Sequence, residues 1–381
     1  MSVTDLPVGS PTIAIVGSGP SGCYAAQFLR KAYTGAEIVI FDRLAERYGL
    51  VRYGVAPDHQ GTKAVTKQFD RLFERDGVTF VGNTEIERDL TLESLRASFD
   101  VVILATGLSA DRPVDGARAH LAGIFGAGAI TRLINGHPEE TADLLQLGET
   151  VTIVGQGNVA LDLVRLFLTP APALTELGVA DAVVAAFASV RQIEVVGRSH
   201  APSAKFDVAM VKELGKLPDV RFRADELPLA GEDARVTAIT ELVALSPAAA
   251  SRTVHFRFGW TPVSIAGALR VSAITFSSGE HTLTIPTDSV CTAIGFSEHA
   301  DAPLRRADHE TADTDLDLGV LDTGLFCVGW LRRGPQGTIP ANRVDSRMVV
   351  DQIIATITSG ALILGKPGFS NLTAYALQET S

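Results

Sequence analysis

The stretch TIAIVGSGPSGCYAAQFLRK, Thr12–Lys31, decides how the chain begins to fold. Thr12–Gly17 is a short β-branched run, apolar on successive residues, which suits a strand buried on both faces of a parallel sheet. Gly17-Ser18-Gly19-Pro20-Ser21-Gly22 follows it and opens a helix-like stretch, Ser21–Lys31, with Ala25, Ala26, Phe28 and Leu29. That is G-x-G-x-x-G between a strand and a helix. The first Gly permits the tight turn, the second lets backbone approach a pyrophosphate, and the third allows helix and strand to pack closely. The helix N-terminus offers free N–H groups to an anion. The next run, Glu37–Asp42, ends in an acid near the spacing of about 20 residues at which a carboxylate holds a ribose hydroxyl.

The same pattern begins again at TVTIVGQGNVALDLVRLFL, Thr150–Leu168. Its loop is Gly155-Gln156-Gly157-Asn158-Val159-Ala160, with Ala at the third glycine position, a replacement the fingerprint permits. The strand that should follow, Ile193–Gly197, ends in Arg198 and not in an acid. A guanidinium binds a 2′-phosphate that a carboxylate would repel, so this second loop leans to NADP(H), with NAD(H) the alternative.

Other short runs end in small residues: Val101–Gly107 with Thr106 and Gly107, Ser289–Gly295, and Gly324–Gly329. Leu104–Gly107 and Ala293–Gly295 echo one another. Val254–Phe258 and Ala273–Phe276 alternate apolar and polar residues, which reads as an antiparallel excursion late in the second domain. Gly324–Gly329 and the helix-like Val344–Thr358 then return to the first. The expected fold is α/β, two Rossmann-like dinucleotide-binding domains with the second inserted in the first. The boundaries fall at 1–108, 109–295 and 296–381.

With 381 residues, 46% of them hydrophobic, the chain has enough for two cores. A net charge of −11 argues against nucleic acid, which calls for a basic footprint. Met1–Pro11 shows no basic region followed by an apolar one, and no apolar run approaches the ~20 residues that span a bilayer, so a cytoplasmic chain without membrane insertion is expected. The three cysteines, Cys23, Cys291 and Cys327, are far apart and form no C-x-x-C. Neither a redox dithiol nor a metal knot is expected.

Two further segments are irregular and Gly-rich: GLVRYGVAPDH, Gly49–His59, and GWLRRGPQGTI, Gly329–Ile339. These two strings, the loop GQGNVALD, and HFRF followed by TPVSI (His255–Phe258, Thr261–Ile265) closely resemble the adrenodoxin reductase-like ferredoxin–NADP reductases over nearly the whole chain. The resemblance implies a fold of glutathione-reductase type, with FAD in the first domain and NADP(H) in the inserted one. It also implies an activity: electrons from NADPH pass through FAD to a ferredoxin-type iron–sulfur protein, one that feeds a monooxygenase. No oligomer is required.

Carried over by motif, Ser21, Asp42, Leu50, Ile86, Trp330, Gly337, Thr338 and Ile339 would hold FAD. Gln156 to Val159 would meet the NADP phosphates, Arg198 the 2′-phosphate, and Ser199 would stand beside it. His59 and Glu213 would lie near the flavin as catalytic residues, Asp207 being the alternative to Glu213. Arg52, Arg332 and Arg333 are candidates to dock an acidic partner. The chain departs from the family at Gly197-Arg198-Ser199-His200-Ala201, where Gly-Arg-Arg-Gly-Pro is usual, so one of two phosphate-binding arginines is missing. Two other readings stand beside the main one: an FAD-dependent NAD(P)H oxidoreductase acting on a small molecule with relaxed nicotinamide specificity, and an FAD carrier whose nicotinamide site has decayed.

Overall fold

The structure is a computed structural model that describes residues 9–114, 121–142, 145–225, 227 and 233–372. Most of the Met1–Pro11 segment read above therefore lies outside the described residues. The chain divides into two compact units, one of Met1–Val55, His59–Ala110 and Ser297–Ser381, the other of Ala56–Asp58 and Asp111–Phe296. The sequence boundaries took no account of Ala56–Asp58, which leaves the first stretch of the chain to pack with the second unit.

In the first unit a six-stranded sheet runs, in spatial order, Val320–Asp322, Leu325–Cys327, Val101–Leu104, Thr12–Val16, Glu37–Phe41, Thr79–Val81. Every neighbouring pair is parallel except the first, a hairpin. Successive residues of Thr12–Val16 point to opposite faces, and both faces are buried because Ile13 and Ile15 on one side and Ala14 on the other meet apolar layers. Ile13 and Ile15 pack with Cys23, Ala26 and Leu29 of the helix Pro20–Ala32 and with Val349, Val350 and Ile353 of the helix Ile339–Thr358. Ala14 and Val16 pack with Phe41, Leu95, Phe99 and Leu321. Burying each large aliphatic side chain stabilises by about 1.5–3 kcal/mol, which is why continuous apolar runs, and not alternating ones, form this layer.

In the second unit a six-stranded sheet is parallel throughout, in the order Ile124–Gly126, Ser289–Thr292, Thr150–Val154, Gln192–Gly197, Arg252–Phe258, Val220–Ala224. The helix Asn158–Leu168 buries Leu161, Val164 and Phe167 with Ile153, Val195 and Phe256 on one face. The other face carries Val154 and Val196 against Ile265, Ile274 and Phe276 of an antiparallel three-stranded sheet, Thr261–Gly267, Val271–Ser278 and His281–Pro286.

Ala273–Phe276 accordingly sits in an antiparallel sheet, but Val254–Phe258 does not. It is a parallel strand inside the main sheet, paired with Gln192–Gly197 and Val220–Ala224. Its polar alternates do not face water. His255 is 5% exposed and Glu194 beside it 3%. His255 Nδ1 lies 3.6 Å from Glu194 Oε2, and Arg257 Nε donates to the same oxygen at 2.7 Å while its Nη1 reaches Asp225 at 2.6 Å. Alternation here records a partly buried layer of polar side chains paired with one another, the pairing that burial of polar groups requires.

Candidate functional site: two dinucleotide loops

In the first unit the loop leaves the carboxyl end of Thr12–Val16, where ligands of open α/β sheets bind. Gly17 has φ +109°, and a Cβ there would lie 2.5 Å from Ala105 O, so the turn is pressed against the small-residue segment Leu104–Gly107. A Cβ on Gly22 would lie 2.1 Å from Gly17 O, whereas one on Gly19 would meet nothing within 4 Å. The first and third glycines are thus closed by protein and the second faces open space. This is the shape a pyrophosphate cradle needs.

Asp42 accepts from Ser18 N at 2.8 Å and Ser18 Oγ at 2.6 Å through one oxygen and from Leu44 N at 3.0 Å through the other. The first oxygen has both lone pairs engaged, and the second keeps one for a ribose hydroxyl. Ser18 Oγ in turn accepts from Tyr48 N at 3.2 Å. Tyr48 is a non-glycine residue at φ +89° and Gly49 follows at φ +47°; a Cβ on Gly49 would lie 3.3 Å from Gly19 Cα. These two turned residues lead into the helix Leu50–Tyr53, whose first residue, Leu50, is half-buried. Ile86 is buried at 3% among the apolar residues on one face of the sheet. Thr106 is exposed and Gly107 adopts φ +68°. His59 caps the short helix Gln60–Lys63 in this unit.

The Gly329–Ile339 segment reaches the same loop through residues that motif reading passed over. A Cβ on Gly329 would lie 2.1 Å from Ser21 Oγ. Gly329 N donates to Asp345 Oδ2 at 2.5 Å, and Ser346 Oγ donates to Ser21 O at 3.0 Å. Asp345 and Ser346 are buried on the helix Ile339–Thr358. Arg332 bonds Asp345 at 2.6 Å, and Arg333 Nη2 donates to Asn342 Oδ1 at 2.6 Å. The proposed docking role for these two arginines is corrected by that geometry: both guanidinium groups turn inward and brace the segment. Arg52 stays at the surface, 3.0 Å from Glu46. Trp330 is half-buried, Gly337 has φ +78°, and Thr338 caps the twenty-residue helix that begins at Ile339, leaving its N-terminal N–H groups at the site.

In the second unit the design repeats. Gly155 has φ +125°, and a Cβ there would lie 2.2 Å from Ala293 O; Gly157 has nothing within 4 Å. Ala160 is fully buried in the helix. The side chain of Gln156 turns into the sheet, where its Nε2 donates to Arg257 O at 2.8 Å and its Oε1 fills the space a Cβ on Gly197 would need. Asn158 Nδ2 donates to Asp207 Oδ2 at 2.6 Å, and Asp207 N donates to Asn158 Oδ1 at 2.8 Å. With both side chains committed, Gln156 to Val159 offer a phosphate their backbone N–H groups. Arg198 is exposed at the end of Gln192–Gly197, with Ser199 half-buried and held by a bond from Gly259 N to its carbonyl at 3.1 Å.

Glu213 lies on the helix Val208–Leu214, with Oε2 3.7 Å from Arg165 Nε. Arg165 also bonds Asp162 at 2.7 Å and contacts Asp58. Glu213 is therefore one of three carboxylates around a buried guanidinium, a neighbour that sequence reasoning missed because Asp58 lies far along the chain. Asp207, its alternative, is tied to Asn158. Glu213 and His59 belong to different units.

Two parallel sheets, each carrying an open glycine loop at its carboxyl edge, define an oxidoreductase that uses two dinucleotides. Residues 11–212 match the family of pyridine nucleotide-disulphide oxidoreductases. The chain is 46% identical to cindoxin reductase of Citrobacter braakii, over 97% of this chain and 83% of that protein. It is 30% identical to mitochondrial NADPH:adrenodoxin oxidoreductase of Bos taurus, over 96% of this chain and 83% of that one. Mycobacterium tuberculosis FprA, solved in complex with NADPH, superposes with a TM-score of 0.81 at 25% identity, covering 92% and 85%. The chain belongs to the pyridine nucleotide-disulphide oxidoreductase family, in its adrenodoxin reductase-like branch of ferredoxin–NADP reductases.

Proposed function

We propose that the chain is a ferredoxin–NADP(+) reductase that carries electrons from NADPH through FAD to a ferredoxin-type iron–sulfur protein. The observation that carries the reading is the pair of loops with opposite charges at the ribose end: Asp42 beside the first and Arg198 beside the second. A carboxylate suits a free ribose hydroxyl and a guanidinium suits a 2′-phosphate. The flavin, when bound, supplies acceptance of a hydride and release of electrons one at a time.

The chain's own residues bind and orient. The open face at Gly19, the N–H groups following it, Asp42 and the N-terminus of the helix at Ile339 would hold FAD, with Pro20, Ser21 and Gly22 opening the first helix beneath it. Thr106, Gly107, Leu50, Trp330, Gly337 and Thr338 would line its path, and Ile86 would offer backbone. Gly155, Gly157 and the N–H groups of Gln156 to Val159 would take the NADP(H) pyrophosphate. His59 and Glu213 are assigned to the neighbourhood of the flavin by motif alone. The domains assigned are 1–108 with 296–381 for FAD and 109–295 for NADP(H).

The thiols support an iron–sulfur acceptor over a disulfide. Cys23, Cys291 and Cys327 are free and buried, with no C-x-x-C in the chain. Burial pushes the Cys23 and Cys291 thiols well above the ordinary range, so neither is poised as a thiolate. A cytoplasmic place, with no oligomer required, completes the proposal; among the described residues no helix is long and apolar enough to cross a membrane.

The test is anaerobic mixing of the yellow protein with NADPH or NADH, followed by addition of an oxidised ferredoxin-type iron–sulfur protein. Bleaching of the flavin band at much lower NADPH than NADH, then recovery of that band as the cluster is reduced, is the expected result. Bleaching without transfer to any such protein would favour the small-molecule oxidoreductase. No bleaching by either cofactor would defeat both.

A further inference from the structure

We propose that Lys205 is the second cation of the 2′-phosphate site, standing in for the arginine that Ser199 does not supply. This deepens the assignment of the second loop to NADP(H) and rests on it.

The argument starts from the path of the backbone after Arg198. The segment folds back along the dinucleotide loop: Lys205 N donates to Gln156 O at 3.2 Å, Gly157 and Lys205 form an isolated parallel bridge, and Asp207 and Asn158 bond reciprocally. Ala201, Ala204 and Phe206 are buried at 1%, 3% and 1%, which anchors the segment to the core. Lys205, between two buried residues of an extended stretch, is exposed. Arg235 braces the backbone from the side, donating to Phe206 O at 3.3 Å and Pro202 O at 3.4 Å. Gly259 N fixes the other end at Ser199 O. Lys205 is thus held beside Gly157 by a rigid frame and not by a free loop.

Charge supplies the second observation. From Gly197 to Phe206 the sequence carries Arg198, His200 and Lys205 and no acid, in a chain of net charge −11. Among the described residues the side chains of Arg198 and Lys205 make no ion pair or hydrogen bond. Cations on neighbouring elements are committed: Arg257 to Glu194 and Asp225, Arg235 to two carbonyls, Arg252 to the carbonyls of Leu168 and Pro218. Asp207, the nearest acid along the chain, spends its carboxylate on Asn158. Uncommitted cations gathered on one braced segment repel until an anion joins them.

Two phosphate groups compete for this charge. A pyrophosphate at the loop already has the backbone N–H groups and the positive end of the eleven-residue helix Asn158–Leu168. A 2′-phosphate lies out at the end of the following strand, where only side chains can meet it. The lysine is therefore assigned to the 2′-phosphate, as a point charge beside the planar guanidinium of Arg198.

The experiment uses the full-length flavoprotein and its Lys205→Met and Lys205→Arg variants, with NADP+, NAD+ and 2′,5′-ADP as titrants in isothermal calorimetry at several salt concentrations. Loss of one charge-assisted contact should weaken NADP+ and 2′,5′-ADP about tenfold or more in Lys205→Met, leave NAD+ as in the parent, and flatten the salt dependence of NADP+ binding. Lys205→Arg should restore NADP+ affinity. Equal weakening of NADP+ and NAD+ would overturn the assignment, because the lysine would then serve the pyrophosphate; unchanged binding of both would overturn it as well. If the parent protein binds neither dinucleotide, the nicotinamide reading of the second loop fails first, independently of Lys205.

Discussion

Set side by side, the two glycine loops share one backbone and differ in what their side chains do. Gly17 and Gly155 each press against the carbonyl of an alanine on the neighbouring strand end, Ala105 in one unit and Ala293 in the other. Gly19 and Gly157 each face open space. The third position parts them. Gly22 approaches Gly17 O so closely that a Cβ would lie 2.1 Å from it, while the second helix carries a methyl there at Ala160. The residue after the first glycine parts them too: Ser18 bonds Asp42, but Gln156 is turned into the sheet. Backbone geometry gives both loops the same open shape, and the side-chain commitments around them differ.

The largest effect expected from this comparison is at the third position. Gly22→Ala should cost about 3 kcal/mol through overlap with the Gly17 carbonyl and release the flavin, whereas Ala160→Gly should cost about 1 kcal/mol, the helix penalty of glycine. Thermal melts and the flavin-to-protein absorbance ratio would read this; equal losses at the two sites would break the distinction between the helices.

Next comes the ribose end of the second loop. Arg198→Ala should lose about 1.5–3 kcal/mol of NADPH affinity, tenfold or more in Kd, with NADH unaffected. Ser199→Arg should move NADPH binding the other way by about tenfold if a second guanidinium can reach the phosphate. Titrations of both cofactors check the pair, and a parallel shift in NADH binding would count against Arg198 as the discriminator.

A smaller change is expected at the corresponding place in the first loop. Asp42→Asn removes the charge from the acceptor of Ser18 N and Ser18 Oγ and should weaken FAD retention by about 1–2 kcal/mol, measurable as flavin released on dilution. The NADPH response of the retained fraction should not change.

The smallest effect concerns the thiols, Cys23 on the helix after the first loop and Cys291 and Cys327 on the strands Ser289–Thr292 and Leu325–Cys327. Burial pushes Cys327 up to about 12 from an ordinary 9.0, a rise that the nearby Arg306 and Arg332 only partly offset. Because the folded chain keeps this proton where the unfolded chain loses it, the stabilisation is whole below pH 9 and is lost as pH climbs towards 12. Iodoacetamide at pH 8 should therefore label none of the three cysteines in the native protein and all three in denaturant, as counted by mass. Rapid labelling of Cys23 alone would show the first loop region to be less closed than the second.

Much of this arrangement was legible along the chain. Thr12–Val16, Glu37–Phe41, Val101–Leu104 and Thr150–Val154 stand where continuous β-branched runs put them, because burial on both faces favours apolar residues at successive positions. Val254–Phe258 was misread because His255 and Arg257 pair with Glu194 and Asp225, and a buried ionic layer has the same period as a wet face. The motif residues Asp42 and Arg198 could be found from spacing to a Gly-rich loop. Asp345, Ser346 and Asn342 could not, since each lies within the helix Ile339–Thr358 with no local signal, and their partners Gly329, Ser21 and Arg333 are set by the fold.

What the sequence by itself determined is therefore local: two strand–glycine–helix units, an acid after one and an arginine after the other, and the absence of a dithiol. Hydrophobic period and glycine stereochemistry operate within about 25 residues, and a motif reports them directly. The tertiary structure alone decided which polar side chains remain available. Arg332 and Arg333 look like surface charges until Asp345 and Asn342 draw them in. Gln156 looks like a phosphate ligand until the carbonyl of Arg257 claims its amide. Lys205 looks like an ordinary surface lysine until the backbone sets it beside Gly157. A buried polar group must find a partner wherever the fold offers one, and that partner is most often far away in sequence.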